Sequence, residues 1–143
     1  MKIPAITVWQ PWASLIVCGI KTVENRPWKP PLKIIGEWIA IHAGRAVDRH
    51  AMEFHFDNER VRQSISETNP FPKGVLLGIA FLSAFYEPAK EQQIIWKLSD
   101  LEWWEREYFG WVFRRPRILK NPISTKGRQG IWYAEIPEEI NPG

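Results

Sequence analysis

One cysteine in 143 residues leaves no partner for an internal disulfide and no cysteine cluster for zinc. Cys18 lies in an apolar run and reads as a small buried side chain. Only three histidines occur, His42, His50 and His55, none at finger spacing with cysteine, so neither a metal nor another cofactor is expected. The chain also lacks any apolar run near the ~20 residues of a membrane span. The apolar stretch after Lys2 is broken by Pro4 and by Gln10-Pro11, and Val17 is too large for a cleavage site, so it does not read as a signal peptide. A cytoplasmic protein with no membrane partner is expected. Internal repeats, low-complexity tracts and linkers are missing too, and the length suits one domain over residues 1–143.

Acidic residues are absent from Tyr108 to Ala134, where Arg114, Arg115, Arg117, Lys120, Lys126 and Arg128 supply six positive charges. From Glu87 to Glu107 the balance reverses, with six acids against three bases. Overall net charge is only +3, so the distribution carries the information: a basic segment of this kind either orients on a polyanion or protects a solvated strand edge. Nine tryptophans are the other surplus. Each brings a ring face for stacking and one N–H that wants a partner, so some are expected in the core and others at a functional surface.

Ile3 to Trp9 has the β-branched and aromatic character of a strand, and Pro11 suits the start of a helix running from Trp12 to Cys18, with Gly19 as its stop. Arg26 to Leu32, with three prolines, reads as an extended connection. Ile34 to His42 alternates as a strand, with Trp38, Ala40 and His42 on one face and Ile39 and Ile41 on the other. Ala46 to about Thr68 is the candidate for a longer exposed helix. Val75 to Tyr86 reads as a long strand in which Gly78 permits a bend or bulge. Pro88 to Glu107 is expected to hold a helix and a loop, and Trp111–Phe113 and Gly130–Ile136 the last strands, joined by a connection from Arg114 to Arg128. About five strands with two or three helices make a mixed α+β domain, better suited to a small barrel than to a doubly wound sheet.

Chemistry concentrates between Gln10 and Arg26. If Val23 to Arg26 is extended, Glu24 and Arg26 project from one face, and Lys21 follows the helix stop toward the same opening. Arg26 offers a planar fork for phosphate or carboxylate, Lys21 a compact charge, and Glu24 an acceptor for either or for the amino group of a base. The same three residues also fit a salt-bridge cluster at a helix end, worth about 0–1 kcal/mol per pair.

Ile6-Thr7-Val8-Trp9-Gln10-Pro11-Trp12-Ala13, followed by Gly19-Ile20-Lys21-Thr22-Val23-Glu24-Asn25-Arg26, resembles the signature of the ASCH family, a branch of the PUA-like barrels. The likeness continues through Ile41-His42-Ala43, Phe71-Pro72-Lys73-Gly74, Gly110-Trp111 and Gly127-Arg128-Gln129-Gly130. It implies a PUA-like β-barrel of five to six strands with flanking helices and a cleft beside the first helix lined by the Lys-Glu-Arg motif. It also implies RNA, or a modified nucleoside or nucleotide, as the partner. Some small members are amidohydrolases that deacylate the exocyclic nitrogen of cytidine derivatives, and ribonuclease activity is associated with the family as well. Lys21 matches the lysine of the hydrolases, whereas Glu24 stands where they carry the threonine nucleophile. Thr22 is nearby but does not match that position.

Two functions therefore lead. As a binding domain, the chain would use Gln10, Trp12, Arg26, His42, Trp111 and Gln129 for the ligand and Arg114, Arg115, Arg117, Lys126 and Arg128 for phosphates. Gln10 is alternatively a helix cap, Trp12 a core residue and His42 a structural histidine. As an enzyme acting on N4-acylated cytidine or cleaving RNA, it would use Glu24 as general base and Lys21 as oxyanion stabiliser. Trp103 and Trp104 read as packing residues. A third reading, a protein-interaction module, rests on exposed tryptophans and the acidic 87–107 segment.

Overall fold

Two-residue alternation explains how the first strand, β1 (Lys2–Gln10), is covered on both sides in the computed structural model, which describes residues 1–51, 59, 71–88 and 98–140. Ile6 and Val8 enter one apolar cluster, while Ile3 and Ala5 enter a second. The third strand, β3 (Glu37–Val47), repeats the pattern: Ile39, Ile41 and Ala43 join the first cluster, and Ala40, with Trp38 beside it, joins the second. In β4 (Val75–Tyr86) the phase changes partway along. Leu77, Ala80 and Leu82 share a cluster although they are not all an even number apart. A bulge opposite Ile41 and His42 inserts the extra residue that shifts the phase. Gly78 lies at this bulge, where a β-carbon would come within 2.1 Å of the Arg117 carbonyl oxygen.

The remaining strands are β2 (Val23–Arg26), β5 (Phe109–Ser124) and β6 (Trp132–Glu135). Together they form a six-stranded mixed sheet in the order β2-β5-β4-β3-β1-β6, with β1 and β3 parallel and the other pairs antiparallel. The fold is α+β as expected, but the barrel does not close: the terminal strands β2 and β6 are unpaired with each other. Both are four residues long, and side chains bridge the opening instead of a backbone ladder. Arg26 Nη2 donates to the Thr7 carbonyl oxygen at 2.9 Å, and Trp132 Nε1 donates to Thr7 Oγ1 at 3.2 Å.

The stretch expected to be a connection, Arg114 to Ser124, is strand. β5 continues through it because β4 offers its backbone over the whole length, and irregularities absorb the residues that do not fit. Between the pairs Phe81–Arg114 and Ile79–Arg117, β5 carries one residue more than β4. Arg115 takes a left-handed φ of 48° there, and Pro116 is accommodated beside it.

Helix α1 (Trp12–Val17) ends at Gly19, which adopts φ 79°, the left-handed conformation that glycine tolerates. The Ile20 and Lys21 amides both donate to the Leu15 carbonyl, so the chain folds back under its own helix. A second short helix, α2 (Leu98–Trp103), packs beside β2. Most of the helix expected over residues 46–68 lies outside the described residues; β3 occupies its first positions, and residues 49–51 are helical. No helix among the described residues is long and apolar enough to cross a membrane.

Candidate functional site

The reversal after Gly19 carries Lys21 inward, and β2 then presents Glu24 and Arg26 from one edge of the sheet. Glu24 Oε2 and Arg26 Nη2 form an ion pair at 3.2 Å, and Arg26 lies over the Trp111 ring at 5.9 Å. Lys21 is only 4% exposed; its Nζ donates to the Val23 carbonyl oxygen and sits 5.0 Å from the Trp12 ring and 5.4 Å from that of Trp103. Burial pushes its ammonium below the ordinary lysine value, while Glu24 and Glu105 act in the opposite direction. All three motif side chains line one cleft of about 700 Å³, walled by Trp12, Trp103, Trp104 and Tyr108. A solvated salt-bridge cluster would look different: here the charges converge on a concavity with aromatic sides.

A larger cleft of about 880 Å³ lies next to it, and Thr7, Trp9 and Arg26 line both. Arg26 is thus a partition between two chambers. Its Nε is buried and has no hydrogen-bond partner among the described residues. Arg26, Arg45, Lys126 and Arg128 bring positive charge to the larger cleft, and no carboxylate lines it. Trp9 and Trp28, 57% and 51% exposed, are among its walls.

His42 lies at the base of this larger cleft, 2% exposed. Its Nε2 is 2.6 Å from the Thr125 carbonyl oxygen, which can only accept, so Nε2 carries the proton. Nδ1 is 3.3 Å from Thr7 Oγ1, and the Trp132 ring meets the imidazole edge-on. Burial holds the imidazole below its ordinary value, although the bond to Thr125 opposes this. Gly127 closes over the group: a β-carbon there would lie within 2.6 Å of both the ring and Thr7 Oγ1.

Other expected residues are distributed differently. Gln10 is fully buried, its Nε2 donating to Ser14 Oγ and the Pro72 carbonyl and its Oε1 accepting from the Ser14 amide, so it organises the start of α1 rather than a cleft wall. Trp12 lines the motif cleft and donates to Asp48 Oδ2 at 3.1 Å. Trp111 is buried beneath Arg26 and donates to the Trp28 carbonyl at 3.0 Å, holding the segment that carries Trp28. Gln129 is exposed on the rim of the larger cleft. Trp103 and Trp104 pack in a third apolar cluster and line the motif cleft at the same time.

The basic segment divides. Lys126 and Arg128 line the larger cleft, whereas Arg114, Arg115 and Arg117 line neither cleft. Arg114 is not without an acidic neighbour, as its place in the sequence suggested: it holds buried Asp100 through two bonds of 3.0 and 2.8 Å. Asp100, distant in sequence, also accepts from Tyr86 Oη at 2.7 Å and Thr22 Oγ1 at 2.8 Å. Thr22 is therefore committed to structure. Arg115 lies over Trp38 and Phe81, at 5.0 and 4.7 Å.

Trp9, Trp28 and Arg45 were not among the expected site residues. A usable signal existed for two of them. Trp9 alternates with buried Val8 and Gln10 on β1, and Trp28 stands alone among lysines and prolines with no apolar neighbours to bury it. Arg45 has no such signal, because only the antiparallel pairing of β3 with β4 brings it beside Gly74.

The model of the ASCH domain matches residues 6–141. Activating signal cointegrator 1 of Homo sapiens is 31% identical over 140 residues, which is 96% of this chain and 23% of that protein. The Mus musculus protein of the same name is 30% identical over the same shares. The chain thus spans about a quarter of the length of these curated relatives. The crystal structure of ASCH from Zymomonas mobilis has the same fold, with a TM-score of 0.54 at 18% identity over 95% of this chain and 88% of that one.

Proposed function

The chain belongs to the ASCH domain family, and from that premise we propose that it binds RNA or a nucleotide-derived ligand in the two clefts divided by Arg26. The supporting observation is the make-up of the larger cleft: Arg45, Lys126 and Arg128, none of them ion-paired among the described residues, beside Arg26, which Glu24 already holds, with no carboxylate in the lining and two half-exposed tryptophans. Phosphates need cations that are not already neutralised, and unstacked bases need aromatic faces. The motif cleft complements this surface. Glu24 is an acceptor for a base amino group, and Lys21 and Arg26 are donors for a base carbonyl or a phosphate.

Fluorescence anisotropy with a labelled single-stranded oligonucleotide tests the reading. Trp28→Ala removes an exposed ring without opening the core and is expected to weaken binding by ~1–3 kcal/mol. Affinity should fall steeply with salt. Binding that is absent at low salt, or indifferent to salt, would sink the proposal.

A second reading is favoured by one feature, the buried amine of Lys21 with its lowered pKa in a cleft that also holds Glu24. In a hydrolysis of N4-acylated cytidine, Glu24 would take a proton from water as its oxygen adds to the acyl carbon. Lys21 would steady the oxyanion, and the proton would pass to the departing amine. Release of cytidine from N4-acetylcytidine, lost in Lys21→Ala and in Glu24→Gln, is the expected result. A wild-type protein that releases none excludes this reaction.

A further inference from the structure

The loop that carries Lys126, Arg128 and Gln129 does not end at the larger cleft. Thr125, Lys126, Arg128 and Gln129 also line a third cleft of about 620 Å³, bounded by Lys2, Trp132, Tyr133 and Glu135. The loop is therefore a ridge between two hollows, with its basic side chains exposed on the crest. Strand alternation in β6 turns Trp132 and Ala134 inward and Tyr133 outward, leaving the tyrosine 54% exposed. Glu135 is the one carboxylate in the third cleft, and it is neutralised by the Met1 amino group at 2.7 Å. Lys2 adds a cation on that side.

The resulting order across the surface is exposed indole, basic ridge, exposed phenol. A duplex presents phosphates but keeps its bases stacked inside, so it makes no use of rings on either side of the ridge. A single strand has both, and its bases turn freely to either side. Resting on the RNA-binding reading above, we infer that single-stranded RNA crosses the 125–130 loop. Its phosphates lie on Lys126, Arg128 and Lys2, with one base against Trp28 in the larger cleft and another against Tyr133 beyond the ridge. The footprint is longer than either cleft alone, and Tyr133 and Lys2 act only on ligands long enough to cross.

Length dependence tests this. Anisotropy is measured with a labelled dinucleotide, a labelled single-stranded octanucleotide of uridine, and a duplex of equal length. The octanucleotide is expected to bind at least about tenfold more tightly than either of the others. Tyr133→Ala should weaken the octanucleotide about fivefold or more and leave the dinucleotide unchanged. Tyr133→Phe, which keeps the ring, should restore the affinity. Lys2→Ala should reduce the salt dependence of the octanucleotide alone, by a log–log slope of about 0.7.

If Tyr133→Ala leaves the octanucleotide unaffected while Trp28→Ala weakens it, the strand does not cross the ridge and only the local cleft reading survives. Equal or tighter binding of the duplex would also overturn the crossing. If no oligonucleotide binds at all, the RNA-binding reading itself fails, a result distinct from the other two. Thermal midpoints of Tyr133→Ala and Lys2→Ala, expected to equal the parent's, separate a binding defect from a folding defect.

Discussion

Lys21 sits where a cation is costly. Its ammonium is buried between two indole rings with one backbone acceptor, and burial outweighs the carboxylates that favour its charge. A side chain kept under such a penalty trades stability for chemistry. Lys21→Met keeps the volume and removes the charge, and it is expected to stabilise the fold by about 1 kcal/mol while abolishing ligand binding. Differential scanning calorimetry and anisotropy on the same sample check both halves. His42 makes the opposite kind of statement, because its neutral ring is what fits between Thr125 and Thr7. Its folded pKa lies below the ordinary value of 6.5, so the unfolded chain takes up a proton first as pH falls. Its contribution to stability is complete above pH 6.5 and declines as pH drops through 6.5 toward the lower folded value. Thermal midpoints measured from pH 8 to 5 should show this decline, and His42→Gln should flatten it.

Among the elements, α2 and β5 are joined by a single carboxylate. Burial by itself would raise the Asp100 pKa, but hydrogen bonds from Arg114, Tyr86 and Thr22 outweigh burial and hold it below the usual carboxylate value. Its stabilising effect is full above about pH 3.9, the unfolded value, and is lost as pH falls through the lower folded pKa. Asp100→Ala leaves Arg114 without its partner and is expected to cost about 3–5 kcal/mol in urea denaturation. Gly78→Ala tests the bulge in β4. The added β-carbon would lie 2.1 Å from a backbone oxygen that no side-chain rotation can move, so a loss of about 3 kcal/mol is expected by the same measurement. That bulge was readable from a glycine inside an apolar run. The second half of β5 was not: Arg114-Arg115-Pro116-Arg117 has the composition of a loop, and only a long partner strand turns it into sheet.

For the molecule as a whole, cations matter by position rather than by number. Arg45, Lys126 and Arg128 face the larger cleft, while Arg115 and Arg117 do not. Replacing any one of the first three by alanine should lower the salt slope of oligonucleotide binding by about 0.7, and Arg115→Ala or Arg117→Ala should leave it unchanged. Titrations of each variant between 50 and 200 mM salt distinguish the two groups.

Local chemistry was enough to determine the strand of residues 75–86, the helix stop at Gly19 and the convergence of Glu24 with Arg26, because these depend on two-residue alternation, glycine's freedom and near neighbours in sequence. The opening of the sheet, the pairing of Arg114 with Asp100 and the placing of Arg45 beside Trp9 and Trp28 in one cleft were decided by tertiary structure alone. Each depends on which distant backbone lies alongside. A short edge strand can leave a barrel open, and an acid far away in sequence can claim an arginine that has no acid near it in the chain.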